Sequence, residues 1–180
     1  MSRLVVPLGL LVLLPVALWG QPKAQPVVAE GSSVTFRIKN AGIWVDGSFG
    51  SFRGTVAFDP ADLGHCQLEA EADASSLETG IGARDRHLKE ADYFDVANYP
   101  KLRFRATAFA QVAGAYQVTG ELTLKATTKT VTLPVTARQV GGRWVLTTTF
   151  RLNRRDYGVG GSSWVLSDTV EVTATLSAGP

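Results

Sequence analysis

Apolar and polar residues alternate with a period of two along most of the chain, and a chain so patterned can bury only one face of each extended segment. Val34, Phe36 and Ile38 oppose Thr35, Arg37 and Lys39, and Cys66, Leu68, Ala70 and Ala72 oppose Gln67, Glu69, Glu71 and Asp73. Phe104, Ala106 and Ala108 oppose Arg103, Arg105 and Thr107. The phase continues through Val118 to Leu124, Val131 to Ala137, Trp144 to Leu152 and Val170 to Leu176. With Ser48–Asp59 these make about eight half-buried strands, whose wet faces are rich in threonine. Short connections at Gly114, Ala126-Thr127 and Gly141-Gly142 suit hairpins between antiparallel neighbours. Eight meandering strands leave open edges unless the sheet closes. The pattern predicts an all-β, eight-stranded antiparallel up-and-down barrel with one short helix, Arg84–Ala91, between strands.

A barrel of this size is filled by side chains or holds one small ligand. Small residues in the apolar phase, among them Ala70, Ala72, Ala106, Gly120, Ala137 and Ala174, favour a cavity. Phe36, Phe58, Phe104, Trp144 and Phe150 share that phase and could fill it instead, giving a solid-core envelope stress or structural protein. A third arrangement, an outer-membrane barrel with its apolar phase toward lipid, fits less well. The apolar faces hold many alanines and trace no pair of aromatic girdles.

Residues 1–20 carry a short basic start and an apolar run interrupted by Pro7 and Pro15, the layout of a cleaved secretory signal. Residues 21–31, rich in Pro and Gln, read as a flexible lead-in to a domain over 32–178. The mature protein is expected to be periplasmic or secreted, with no stable membrane span after cleavage. Eighteen basic residues against sixteen acidic ones leave a net charge of +2, which argues against nucleic-acid binding. A single cysteine, Cys66, precludes an internal disulfide and a multi-cysteine zinc site, and no metal is expected. Cys66 reads as a small buried hydrophobe on a strand that His65 opens. No phosphate loop, nucleophile elbow or metalloprotease helix is present. No catalytic residue is assigned. The enzyme alternative, an exported lipid-modifying or hydrolytic activity, would use Asp85, His87 and Ser162 or Ser163.

Two polar clusters interrupt the strands: Arg84-Asp85-Arg86-His87-Leu88-Lys89 and Asn153-Arg154-Arg155-Asp156-Tyr157-Gly158. At a barrel mouth their arginines suit a phosphate or carboxylate, while a network that only fixes irregular connections would use the same residues. Tyr93, Phe94 and Tyr99 are expected to pack the helix onto the barrel.

The clusters belong to a longer series of signposts. Ser33-Val34-Thr35-Phe36, Gly47 to Gly54, Ser76-Leu77-Glu78-Thr79-Gly80, the Arg-Asp-x-His-Leu element, Tyr93-Phe94-Asp95-Val96, Gly120 to Leu124 and Asn153 to Val159 follow in order. In these the chain resembles the YceI-like family of polyisoprenoid-binding proteins, with Ala126 and Gly82-Ala83 as departures. The resemblance implies a lipocalin-like barrel around a long apolar pocket for a polyisoprenoid, isoprenoid quinone or fatty-acid derivative, without other cofactor. Strand phase assigns Phe36, Phe104, Val118, Leu122, Leu133 and Phe150 to the pocket lining, and the two polar clusters supply Arg84, Asp85, His87, Arg154 and Asp156 as the expected entrance. The expected partner is this hydrophobic small molecule, and a homodimer is compatible with the sequence.

Overall fold

The computed structural model describes residues 21–179, so the segment read as a signal, 1–20, lies outside them. Ten strands form: β1 (Gln25–Asn40), β2 (Ile43–Phe49), β3 (Phe52–Ala57), β4 (Gln67–Asp73), β5 (Leu77–Glu78), β6 (Lys101–Val112), β7 (Ala115–Leu124), β8 (Thr127–Val140), β9 (Arg143–Asn153) and β10 (Leu166–Ala178). One helix, α1 (Gly82–Leu88), lies between β5 and β6. The hydrogen-bonded order is β10-β9-β8-β7-β6-β4-β3-β1, and β10 pairs back with β1, which closes the sheet. β2 and β3 are one bent stave, because both pair with β1, from Thr35↔Ser48 to Asn40↔Ile43 and again at Gln25↔Val56. β5 only adds two residues beside β2. The result is a closed antiparallel barrel of eight staves, as the alternation predicts.

Four local features differ from the sequence reading. Strand β1 begins at Gln25, not after Gly31: Val27 and Val28 pair with Ala178 and Ser177, so most of the expected lead-in belongs to the barrel wall. The helix spans Gly82–Leu88, shorter at its end than Arg84–Ala91, because the chain folds back and Phe94 N–H bonds the Leu88 carbonyl at 3.0 Å. In β6 the register shifts between Ala106 and Ala108, a bulge that reverses the phase. Ala108 is consequently exposed, and Phe109 turns inward against Phe58. Finally, His65 ends a 3-10 turn rather than opening a strand. Cys66 caps that turn, half-buried, with its Sγ 3.3 Å from the Asp59 N–H that donates to it.

The connections sort the barrel into two ends. The β3–β4, β6–β7 and β8–β9 connections meet at one end, which is packed solid. Phe58 stands there edge-on to Tyr116 and Trp144, with ring centroids 5.2 and 4.9 Å away, above Val56, Leu68, Val118, Leu146 and Leu176. At the other end gather the β1–β2 and β7–β8 turns, the segment 79–100 with α1, and the β9–β10 connection. Lys125, in the β7–β8 turn, clamps that end by donating to the carbonyls of Ala91 and Gly158, each at 3.0 Å.

Outside, threonines pair across strands: Thr119 with Thr132, Thr123 with Thr128, Thr147 with Thr175, and Thr149 with Thr173, at 2.8–3.2 Å. Such same-face pairs are the sheet's counterpart of neighbouring turns on a helix.

Candidate functional site

Between the packed end and the helix-bearing end lies an apolar cavity of about 240 Å³. Its floor is the upper surface of the packed cluster, Leu68, Val118, Val135, Leu146 and Leu176. Its walls come from the inward phase of the staves, including Val34, Phe36, Ala70, Phe104, Leu122, Phe150, Val172 and Ala174. Leu88, Tyr93, Phe94 and Val159 cover it from above. The aromatic residues thus divide their work. Phe58 and Trp144 plug one end, whereas Phe36, Phe104 and Phe150 line the space that the alanines leave open.

Two glycines fix the ring positions. A Cβ on Gly47 would lie 2.3 Å from the Phe36 ring, and one on Gly120 would lie 2.6 Å from the Phe104 ring and 2.5 Å from the Arg105 carbonyl oxygen. The outer end of each ring therefore occupies the space that a side chain on the neighbouring strand would take.

Phe36, Phe104, Val118, Leu122 and Phe150, assigned to the lining from phase, all face the cavity. Leu133 does not line it: the residue is 6% exposed, buried opposite Val118 in the β7–β8 pair.

The polar residues assigned to the entrance separate into three environments. Arg84 and Arg154 both reach the cavity. Arg84 spends Nε on the Thr79 hydroxyl and Nη2 on the Thr79 carbonyl, both at 2.7 Å. Arg154, 3% exposed, donates to the carbonyls of Ser167 and Val159 at 2.9 Å and to the Asp168 carboxylate at 3.0 Å. Gly160 completes this corner: its φ is +69°, and a Cβ there would strike both Arg154 and Tyr93. Asp85 takes no part in the cavity, since its carboxylate accepts from the backbone N–H and hydroxyl of Thr79. His87 and Asp156 face outward. His87 Nδ1 lies 3.0 Å from Glu90 Oε2, and Asp156 is 3.0 Å from Lys129 Nζ.

The residues of the enzyme alternative are not brought together. Asp85 is committed to Thr79, His87 to Glu90, and Ser163 Oγ accepts from its own loop at Val165 and Leu166. His65 pairs with Asp62 at 2.9 Å. Burial pushes the Cys66 thiol up, away from the reactive thiolate. Among the described residues no group of three or more His, Cys, Asp and Glu is placed to hold a metal ion.

Sequence reasoning missed Thr79 as the partner that holds Arg84, and Lys125 as the clamp over the cavity's cover. Thr79 lies in a motif the sequence displays, but its role depends on the fold-back of α1. Lys125 carries no sequence signal, because it joins segments more than thirty residues apart.

Comparison with known proteins agrees with this architecture. The YceI-like domain matches residues 26–178. Protein YceI of Escherichia coli O157:H7 is 36% identical over 101 residues, 56% of this chain and 53% of that protein, so the chain spans about half the length of the curated relatives it matches. The crystal structure of Burkholderia cenocepacia BcnA superposes with a TM-score of 0.81 at 30% identity, covering 85% of this chain and 99% of that one. A polyisoprenoid binding domain from Saccharophagus degradans, 16% identical, shares the fold with a TM-score of 0.70 over 87% of this chain and 98% of its own. Cavity, plugged end and covering helix are thus set in the framework of a known group, and the chain belongs to the YceI-like family.

Proposed function

We propose that the protein is an exported binding or carrier protein for a long-chain amphiphile, such as a polyisoprenoid, an isoprenoid quinone or a fatty-acid derivative, and performs no reaction on it. The observation that carries this reading is the apolar cavity of about 240 Å³, with Arg84 and Arg154 reaching it at the helix-bearing end. Burial of each chain methylene contributes about 0.8 kcal/mol, so roughly ten buried methylenes contribute about 8 kcal/mol, equivalent to micromolar binding before the cost of association and of ordering the chain is subtracted. The polar end belongs near Arg84, which makes no ion pair among the described residues and has donors left after bonding Thr79. The polyisoprenoid-binding description of the Saccharophagus degradans neighbour supports the ligand class. Export rests on the signal-like residues 1–20.

Ala174, on the cavity wall, supplies the test. Delipidated protein titrated with a prenyl or fatty-acyl ligand is expected to bind it, and Ala174→Phe, which fills the cavity, is expected to weaken binding at least tenfold with folding retained by circular dichroism. Equal affinity in the two proteins would place the ligand elsewhere and overturn the reading.

A further inference from the structure

Among the described residues, the cavity wall contains one buried hydroxyl without a hydrogen-bond partner. Thr148 sits on β9 between Leu146 and Phe150, on the inward face, and its Oγ1 is buried with no hydrogen-bond partner. The inward threonine differs in this from its neighbours Thr147 and Thr149, whose hydroxyls pair with Thr175 and Thr173 on the outer face. Its depth is set by the register. Thr148 pairs with Ala174, and Ala174 pairs with Val34, while Leu146 and Leu176, one step further in, already belong to the packed floor. The unpartnered hydroxyl therefore lies at the inner end of the cavity, away from Arg84 and Arg154.

An unpaired buried hydroxyl is costly, and valine of the same shape would fill the position without that cost. Rotation about χ1 exchanges the hydroxyl and methyl of a threonine, so either group can be turned toward an occupant. We propose that Thr148 is a specificity-determining residue, donating a hydrogen bond to an uncharged acceptor oxygen, a carbonyl or ether, on the inner segment of the bound chain. The inference rests on the carrier reading and narrows its ligand class from any apolar chain to an oxygenated one. A plain hydrocarbon tail leaves the hydroxyl unpaired, whereas a chain with a carbonyl at the right distance satisfies it.

A positional series of keto-octadecanoic acids, with octadecanoic acid as reference, reads this directly. Titrated into delipidated wild-type protein, one keto position is expected to bind about threefold to tenfold tighter than its positional isomers. Thr148→Val is expected to flatten the series while holding octadecanoic acid at least as well, and Thr148→Ser to keep the preference. The valine protein without ligand should also melt no lower than wild type, which shows that it folds. Equal affinity for all isomers in wild type, or the same preference in Thr148→Val, would overturn the role of Thr148 and leave the carrier reading standing. Failure of every acid to bind wild type would instead count against the carrier reading itself, and with it this inference.

Discussion

Gly120 governs how closely β6 and β7 approach beneath Phe104. Opposite it, the β6 bulge leaves Thr107 as the extra residue, and its hydroxyl donates to the Thr119 carbonyl at 3.1 Å. Gly120→Ala would press a methyl into both the Arg105 carbonyl and the Phe104 ring. Backbone cannot move aside as a flexible side chain can, so a loss of about 1–3 kcal/mol is expected in urea unfolding, together with weaker ligand binding as the ring tips into the cavity. Unchanged stability would mean that the close approach is not a constraint. Arg154 works in the opposite sense, by filling space with donors. Arg154→Leu leaves the Ser167 and Val159 carbonyls unpaired under the cavity's cover. A loss of about 2–4 kcal/mol and faster proteolysis within 158–165 are the expected results. The two residues were legible to different degrees. Gly120 falls in the apolar phase and reads as a small inward position, but its contact with the Phe104 ring depends on pairing. Arg154 reads as a polar residue in an irregular connection, and nothing in its neighbourhood signals that it is almost wholly buried. Asp85, His87 and Asp156, assigned to the entrance with Arg84 and Arg154, bond Thr79, Glu90 and Lys129 instead of reaching the cavity, since sequence proximity to Arg84 or Arg154 does not determine which side of a turn a side chain takes.

Between strands, charge organises the outer face. Glu71 on β4 receives Arg103 of β6 at 2.9 Å and Arg53 of β3 at 2.7 Å, and the Arg103 hydrogen bond leads the effects that hold its carboxyl below the usual range. Asp73 is lowered chiefly by its hydrogen bond from Lys101. Burial raises Glu171, but hydrogen bonds from Arg151 and Arg37 more than offset it, so this carboxyl is lowered too. All three carboxylates are ionised more readily in the folded state than in the unfolded chain. Their contribution is therefore complete at neutral pH, starts to fade as pH falls through ordinary carboxylate values, and is lost below the depressed folded values. Glu71→Gln is expected to make urea stability less dependent on pH over that acid range, with little change in slope from pH 6 to 8. An unaltered acid slope would show that the cluster contributes nothing, the usual outcome for well-solvated pairs. The strands themselves were readable from period two, because each has one wet face. The sequence pattern misplaced the start of β1 and the phase beyond Thr107. Val27 and Val28 gain a strand only through Ala178 and Ser177 at the far end of the chain, and the bulge is a choice of register that no single strand encodes.

As a whole, the molecule is a closed barrel whose inner surface serves two purposes along its axis. Near Phe58 it is a packed core, and beyond Leu146 it is an open apolar space. Alternation alone left a filled barrel and a hollow one equally available, since it fixes which residues point inward and not how far each ring reaches. The outcome depends on glycines that make room for the Phe36 and Phe104 rings, and on alanines around them. Closure of β10 on β1 also leaves no exposed sheet edge along the described staves, so the proposed ligand would enter the interior rather than add a strand. The central claim is that a long-chain amphiphile occupies this interior. Native mass spectrometry of the protein purified from its native source tests it most directly. The account predicts a lipid-mass adduct that is released on activation and missing from Ala174→Phe, whereas a wild-type protein that is lipid-free in repeated preparations would contradict it.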